Sequence, residues 1–205
     1  EGIFPHYKKV LDSYCFARGV EIVLLPISPK TGRIESEIFE KLEFNNFAAI
    51  VVSTPNCFGV IEDLKNIKSF RDTNKILTIG SIHPYFPFAN SIKNIFDIVT
   101  FEGQPYGLNM FAGGAHLGIL ACTEELRSLT PGRLIGKVSD IYGNPSLALV
   151  FEDREQHVAR ERATSNICSN QALNALKTSI FLDLNGSLGI HDLYIECHIK
   201  AKSLF

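Results

Sequence analysis

The stretch AAIVVSTPNCFGVIEDLKNIKSFRDTNKILTIG (Ala48–Gly80) decides the fold class. AAIVVS (Ala48–Ser53) is a short, continuous apolar run rich in β-branched residues, and KILTIG (Lys75–Gly80) is a second. Runs that are apolar without alternation mark strands buried on both faces, as parallel strands are. Between them, TPNCFG (Thr54–Gly59) carries turn residues, and Ile61, Leu64 and Ile67 then fall at helical spacing. Strand, helix and strand in this order form the parallel crossover unit, so the stretch predicts an α/β sheet.

The alternation extends in both directions. Upstream, Tyr7, Val10, Leu11, Tyr14, Cys15 and Arg18 follow helical spacing up to Gly19. EIVLLP (Glu21–Pro26) predicts a buried strand, and Glu35 to Phe44 a short helix. Downstream, DIVTF (Asp97–Phe101), LGILAC (Leu117–Cys122) and SLALVFE (Ser146–Glu152) predict further strands. Glu124 to Leu129 reads as a short helix and PGRLIG (Pro131–Gly136) as a turn with an exposed Arg133. Asn170 to Leu184 and Ile190 to Leu204 read as helices separated at Gly186. There is no internal repeat and no linker long enough to divide the chain. In such sheets ligands bind beyond the carboxyl ends of the strands. That points to TPNCFG, to FEGQPYG (Phe101–Gly107) and to the stretch after Glu152.

Composition narrows the function classes. The chain has 205 residues, 45% hydrophobic and 20% charged, the make-up of a globular domain. Its 20 Lys and Arg against 22 Asp and Glu leave a net charge of -2, which argues against a nucleic-acid partner. No apolar run approaches the roughly 20 residues of a membrane helix. Glu1–Val10 (EGIFPHYKKV) lacks the apolar core of a signal peptide. The five cysteines are scattered and form no CxxC pair, as expected of reduced thiols in a cytoplasmic compartment. The six histidines show no metal-ligand spacing, so no metal site is expected. The chain lacks a starting Met and stops at AKSLF within a helical pattern, which reads as a fragment of a longer protein.

Candidate site residues lie in the loops. Asn56 follows Pro55 at the carboxyl end of a strand, where an Asn is either a ligand contact or the turn former that Pro-Asn favours. Gly113 and Gly114 permit close approach of backbone to a ligand, or simply a tight turn before Leu117. The segment from Asp153 (DREQHVARERATSNICSNQ) sets Arg154, Glu155, His157, Arg160, Glu161 and Arg162 ahead of uncharged Thr164, Ser165 and Asn166. Composition alone favours a solvated, salt-bridged helix there. Its place after a buried strand suggests a subunit interface or a site edge. No Ser-His-Asp or Cys-His pairing and no nucleotide-binding glycine motif can be assembled.

Several strings together resemble one family. EGQPYG (Glu102–Gly107), GGAHLG (Gly113–Gly118), PGRLIG and REQHVARERATSNICSNQALNAL (Arg154–Leu176) are similar to those of the glycine cleavage system P-protein. PNCFGVIED (Pro55–Asp63) and LLPISPKTGRI (Leu24–Ile34) match in the same order. The resemblance covers nearly all 205 residues and is strongest to the first subunit of the two-subunit form. It implies a three-layer α/β/α sandwich, the large domain of a fold type I pyridoxal-phosphate-dependent transferase. Residues 1–205 would be part of that domain, with the flanking parts of the full protein absent.

The resemblance also implies a function. P-protein decarboxylates glycine and passes the aminomethyl group to the lipoyl arm of the H-protein, using pyridoxal phosphate. In the two-subunit form the Schiff-base lysine belongs to subunit 2. Its counterpart here falls at Gln104, which cannot form a Schiff base, and Lys93 and Lys137 lie well outside the loop. The partner of the cofactor's pyridine nitrogen is expected in SIHPYFPF (Ser81–Phe88), which offers His83 and no carboxylate. The resemblance therefore implies a degenerate site near Asn56, His83, Gln104, Gly113, Gly114 and His116, with no catalytic residue of its own. The chain would be a noncatalytic subunit of a cytoplasmic heterotetramer, with pyridoxal phosphate held mainly by subunit 2. Subunit 2 and the lipoyl H-protein are the expected partners. Ala115 stands where Pro is common in the family, and Phe101 where Gly is more usual. Two other readings remain: a self-sufficient pyridoxal-phosphate enzyme of another kind, which Gln104 opposes, and a structural or regulatory binding module without activity.

Overall fold

The structure is a computed structural model and describes residues 1–41, 47–89, 92, 94–130, 134–150, 158, 160–163 and 171–204. Helix α1 (Pro5–Arg18) has Pro at its first turn and closes on Gly19 in the left-handed conformation. None of its residues is buried, so the apolar positions that predict the helix do not form a covered face. Helix α2 (Ser36–Lys41) follows after a loop. Strand β1 (Ala49–Thr54), helix α3 (Leu64–Asn74) and strand β2 (Leu77–Ile82) then form the crossover unit. The short helix α4 (Phe86–Ala89), strand β3 (Ile98–Glu102) and strand β4 (Gly118–Cys122) complete a four-stranded sheet in the order β1-β2-β3-β4. The pairs β1/β2 and β2/β3 are parallel, with Thr54 opposite Ile82 and Ser81 opposite Thr100.

Burial alternates along β2, whereas in β1 only Val51 interrupts it and Val52, Ser53 and Thr54 are buried in succession. Ile50, Val52, Ile82 and Val99 are buried with Ile67 and Phe70 of α3, whereas Val51 and Leu77 are more than a third exposed. Asp63 caps α3, accepting from the Lys65 and Asn66 amides. Gly80 lies against the Phe96 ring, where an added Cβ would come within 2.8 Å of a ring carbon. That contact explains a glycine inside a strand.

A buried carboxylate ties β2, β3 and α3 together. Asp97 lies opposite Thr78 by extension of the β2/β3 register. It accepts from the Thr78 amide (2.8 Å), the Thr78 hydroxyl (3.0 Å) and Arg71 Nε (2.9 Å). Burial alone would raise its pKa, but the hydrogen bonds and charge from Arg71 and Thr78 hold it below the usual carboxylate value.

Three sequence expectations are corrected. Glu21–Pro26 is not a strand, and Val23 and Leu24 within it are exposed. An apolar run becomes a strand only where a neighbour supplies a ladder. PGRLIG is not simply a turn: strand β5 (Leu134–Ser139) begins within it, while residues 131–133 lie outside the described set. The strand predicted over Ser146–Glu152 forms as β6 (Pro145–Val150), but pairs antiparallel with β5 in a separate hairpin. Its turn is closed by Asp140, whose Oδ1 accepts from the Tyr142 and Asn144 amides. The segment Glu124–Leu129 is helical, of the 3-10 kind. The last helix α5 (Ala172–Lys202) breaks its helical dihedrals at Gly186, as the sequence predicts.

By contacts the chain groups into two units, Glu1–Ala121 with Leu173–Phe205, and Cys122–Ala172. Strands β1–β3 belong to the first and the hairpin to the second. Among the described residues no helix is long and apolar enough to cross a membrane.

Asp97→Ala should destabilise the chain by on the order of 3 kcal/mol, because it removes the carboxylate that accepts from Arg71 Nε and from the Thr78 amide. The folded-state pKa of Asp97 lies below its unfolded value, so its contribution is present above about pH 4 and lost as pH falls through the folded value. Urea unfolding of wild type and variant between pH 3 and pH 7 checks both. The difference between them should shrink toward the acid end.

Candidate site at the carboxyl edge of the sheet

Three loops leave the carboxyl ends of β1, β2 and β3 side by side. The first begins with a cis Thr54-Pro55 bond and Asn56. The second is His83–Tyr85, tied to the first by the His83 amide on the Thr54 carbonyl (3.3 Å). The third runs from Gly103 to Leu117. It is joined to the second by the Tyr85 hydroxyl on the Pro105 carbonyl (3.2 Å) and the Tyr106 hydroxyl on the Pro84 carbonyl. Tyr106 is buried, and its own carbonyl accepts from Thr178 of α5 (3.2 Å).

Asn56 faces inward. Its Nδ2 donates to the Gly32 carbonyl (2.8 Å) and to Glu62 Oε1 (2.9 Å). Its Oδ1 accepts from the amides of Phe58 and Val60, both at 3.1 Å. Those four bonds saturate a carboxamide. Glu62, also buried, accepts the Ile34 amide at Oε2 (3.0 Å), and its own amide donates to Thr54 Oγ1 (3.2 Å). Together Asn56 and Glu62 pin the segment around Gly32 and Ile34 onto the loop after β1.

His83 is exposed at the loop surface, and its Nδ1 accepts the Tyr85 amide (3.3 Å). Partial burial of the ring lowers its pKa. Gln104 donates its amide to Glu102 Oε1 (2.9 Å) and its Nε2 to the Leu108 carbonyl (3.1 Å). Glu102 Oε1 also accepts the Leu117 amide (2.8 Å), and Oε2 lies 3.1 Å from His116 Nδ1. Partial burial pushes the Glu102 carboxyl up, but the Leu117 and Gln104 amides and His116 outweigh it and leave it below the usual value. Gly113 and Gly114 have φ of 88° and 67° in the turn before His116. Ala112 shares the left-handed region at 50°, an uncommon state for a residue with a Cβ.

At this edge Gln104 and His116 meet at Glu102, His83 lies on the adjoining loop against Tyr85, Gly113 and Gly114 form the turn before His116, and Asn56 is committed inward. Arg160 is exposed and begins a 3-10 turn (Arg160–Arg162) of the second unit. Arg154, Glu155, His157, Thr164, Ser165 and Asn166 lie outside the described residues. Sequence reasoning missed Glu102 and Glu62. An acidic residue ending a strand, directly before Gly103, was the available signal for Glu102. Among the described residues no group of three or more His, Cys, Asp or Glu is arranged to hold a metal ion.

The glycine cleavage system P-protein family matches the chain over residues 1–205. The chain belongs to that family. A relative from Coxiella burnetii, named "Probable glycine dehydrogenase (decarboxylating) subunit 1", is 32% identical over 98% of this chain and 46% of its own length. One of the same name from Bacillus pumilus is 38% identical over 98% of this chain and 45% of its own. The chain therefore spans about half the length of the relatives it matches. A crystal structure of glycine decarboxylase (P-protein) of the glycine cleavage system, in inhibitor-bound form, superposes with a TM-score of 0.78 at 30% identity, covering 94% of this chain and 43% of that one. A Burkholderia pseudomallei sphingosine-1-phosphate lyase and a Thermococcus onnurineus cysteine desulfurase share the fold alone, at 12% and 15% identity and TM-scores of 0.55 and 0.53. The architecture is that of the large domain of fold type I pyridoxal-phosphate enzymes.

The P-protein edge described here does not fit covalent attachment of pyridoxal phosphate. No lysine occurs between Asn94 and Gly136, and Gln104 is engaged by its own loop. His83 offers the pyridine nitrogen no negative charge, and the Glu102 carboxylate is already held by two amides and His116.

Asn56→Ala should cost about 2–4 kcal/mol, since it removes four bonds and leaves Glu62 Oε1 without its Asn56 donor. Thermal unfolding checks this. Loosening at Ile34 and Val60 amides by hydrogen exchange distinguishes loss of the pin from a general effect.

Proposed function

We propose that this chain is a noncatalytic part of subunit 1 of glycine dehydrogenase (decarboxylating), working in the cytoplasm. The observation that carries the reading is Gln104, its backbone amide held by Glu102 and its carboxamide by the Leu108 carbonyl, in the loop where the resemblance calls for the Schiff-base lysine. A chain without that amine can contribute only surface and positioning groups to pyridoxal-phosphate chemistry. On this reading residues 1–205 are part of a large domain, and subunit 2 holds the cofactor in a heterotetramer. The pair decarboxylates glycine and transfers the aminomethyl group to the lipoyl H-protein. The relatives' name, subunit 1, supports a second subunit. Arg154, Glu155, His157, Arg160, Thr164, Ser165 and Asn166 are assigned to the contact with that subunit or to the edge of its site. The cofactor, when bound there, supplies stabilisation of the carbanion.

Borohydride reduction in the presence of pyridoxal phosphate, on this chain alone and mixed with subunit 2, tests the reading by mass of each chain. Label is expected on subunit 2 only. Stoichiometric label on this chain would make it a cofactor enzyme in its own right, and failure to copurify with subunit 2 would favour a binding module. Arg154→Glu should weaken copurification with subunit 2. Unchanged assembly and activity would remove Arg154 from the interface.

A further inference from the structure

The second and third loops carry the same dipeptide, and each copy reaches into the other loop. His83 precedes Pro84 and Tyr85, and Gln104 precedes Pro105 and Tyr106. The Tyr85 hydroxyl donates to the Pro105 carbonyl (3.2 Å), and the Tyr106 hydroxyl donates to the Pro84 carbonyl. Each Pro-Tyr pair therefore supplies one donor and receives one in return. A proline has no amide hydrogen, so at these positions the side-chain hydroxyls do what a main-chain ladder would otherwise do. Pro84 and Tyr106 are buried, the two tyrosine rings lie 6.0 Å apart, and Phe101 stands edge-on to Tyr106 at 6.2 Å. Burial raises both phenols above the ordinary tyrosine pKa, with Cys197 adding to the rise at Tyr85 and Tyr85 to that at Tyr106. Both phenols therefore keep the proton they donate.

The turn bonds stay within each loop: the Phe86 amide donates to the His83 carbonyl (2.9 Å) and the Leu108 amide to the Gln104 carbonyl (3.2 Å). The two hydroxyl bonds instead join one pair of segments. Once one bond is made, the other closes a short ring with little further ordering of chain, and once one is lost the other holds the loops alone. Bonds arranged in this way couple rather than add. We propose that Pro84-Tyr85 and Pro105-Tyr106 form a reciprocal clasp that makes the second and third loops open and close as one unit, with Tyr85 and Tyr106 as the positioning residues that fix His83 relative to Gln104. The clasp does not depend on pairing with subunit 2, so its failure and failure of the borohydride test are separate results.

The test is amide hydrogen exchange, read residue by residue in the full 205-residue chain, for wild type, Tyr85→Phe, Tyr106→Phe and the double variant. The Phe86 amide reports the second loop and the Leu108 amide the third. In the wild type their protection factors should agree within about fivefold, because one opening exposes both. Each single variant removes one hydroxyl and keeps its ring, and should speed exchange at both amides by about tenfold. The double variant should stay within about fivefold of either single variant, where independent bonds would multiply to about a hundredfold. The amides of β1 and β2 should keep their wild-type rates. No rise in either single variant, a rise confined to one loop, effects that multiply, or an equal rise throughout β1 and β2 would each overturn the proposal. The wild-type comparison decides the matter even where Tyr106→Phe does not fold, since protection at Phe86 and Leu108 differing by more than about fivefold would overturn it as well.

Discussion

The Asp97 carboxylate joins three elements that no continuous stretch of chain joins. It is held by the amide and hydroxyl of Thr78 in β2 and by Arg71 of α3, at the start of β3. A buried charge in such a place is tolerated only when its partners are all present, so those partners cannot shift independently. Fixing Asp97 opposite Thr78 fixes the register of β2 against β3, and a one-residue slip would turn every side chain of β3 to the other face. The register continues upward to Ser81 opposite Thr100, while β1 and β2 stay matched to Thr54 opposite Ile82. The strands consequently end at nearly the same level. That is why the loops bearing Asn56, His83 and Gln104 emerge as neighbours.

At that edge two carboxylates serve opposite ends. Glu62 is turned into the protein, where the Ile34 amide and the Asn56 carboxamide surround it. The Asn56 carboxamide is thereby left with no free donor or acceptor. Glu102 is turned along the surface, and only one of its oxygens is used by backbone amides. The difference follows from what folds back on each. Glu62 receives a segment 28 residues away, whereas Glu102 receives its own loop and the residues leading into β4.

The parallel unit from Ala48 to Gly80 is legible because its strands are short apolar runs and its helix carries Ile61, Leu64 and Ile67 at helical spacing. The site loops are legible by position, since turn residues follow each run. EIVLLP misleads because an apolar run records burial preference and carries no information about whether a neighbouring strand exists. PGRLIG misleads because Pro131 and Gly132 read as a turn, while the hydrogen bonds that draw Leu134–Ser139 into a strand come from β6. The charged partners are less legible still. Asp97 reads as the first residue of a strand, and only its distance from Arg71 reveals a buried pair. Glu102 reads as part of a motif, and its role depends on the amide of Leu117, fifteen residues on.

The loop that lacks the lysine is nonetheless a formed loop. Gln104 is tied at both its amide and its side chain, and the Tyr106 hydroxyl reaches the Pro84 carbonyl. Below it, Thr178 of α5 donates to the Tyr106 carbonyl, and Gly107 lies so close to the Phe181 ring that a Cβ there would come within 2.7 Å of it. None of these contacts needs an amine at position 104. They depend on a carboxylate at 102, on two tyrosines and on a glycine, so the geometry of the edge and the capacity for covalent cofactor chemistry are separable properties of the fold. A subunit whose contribution is shape and hydrogen-bonding groups requires the first of these without the second.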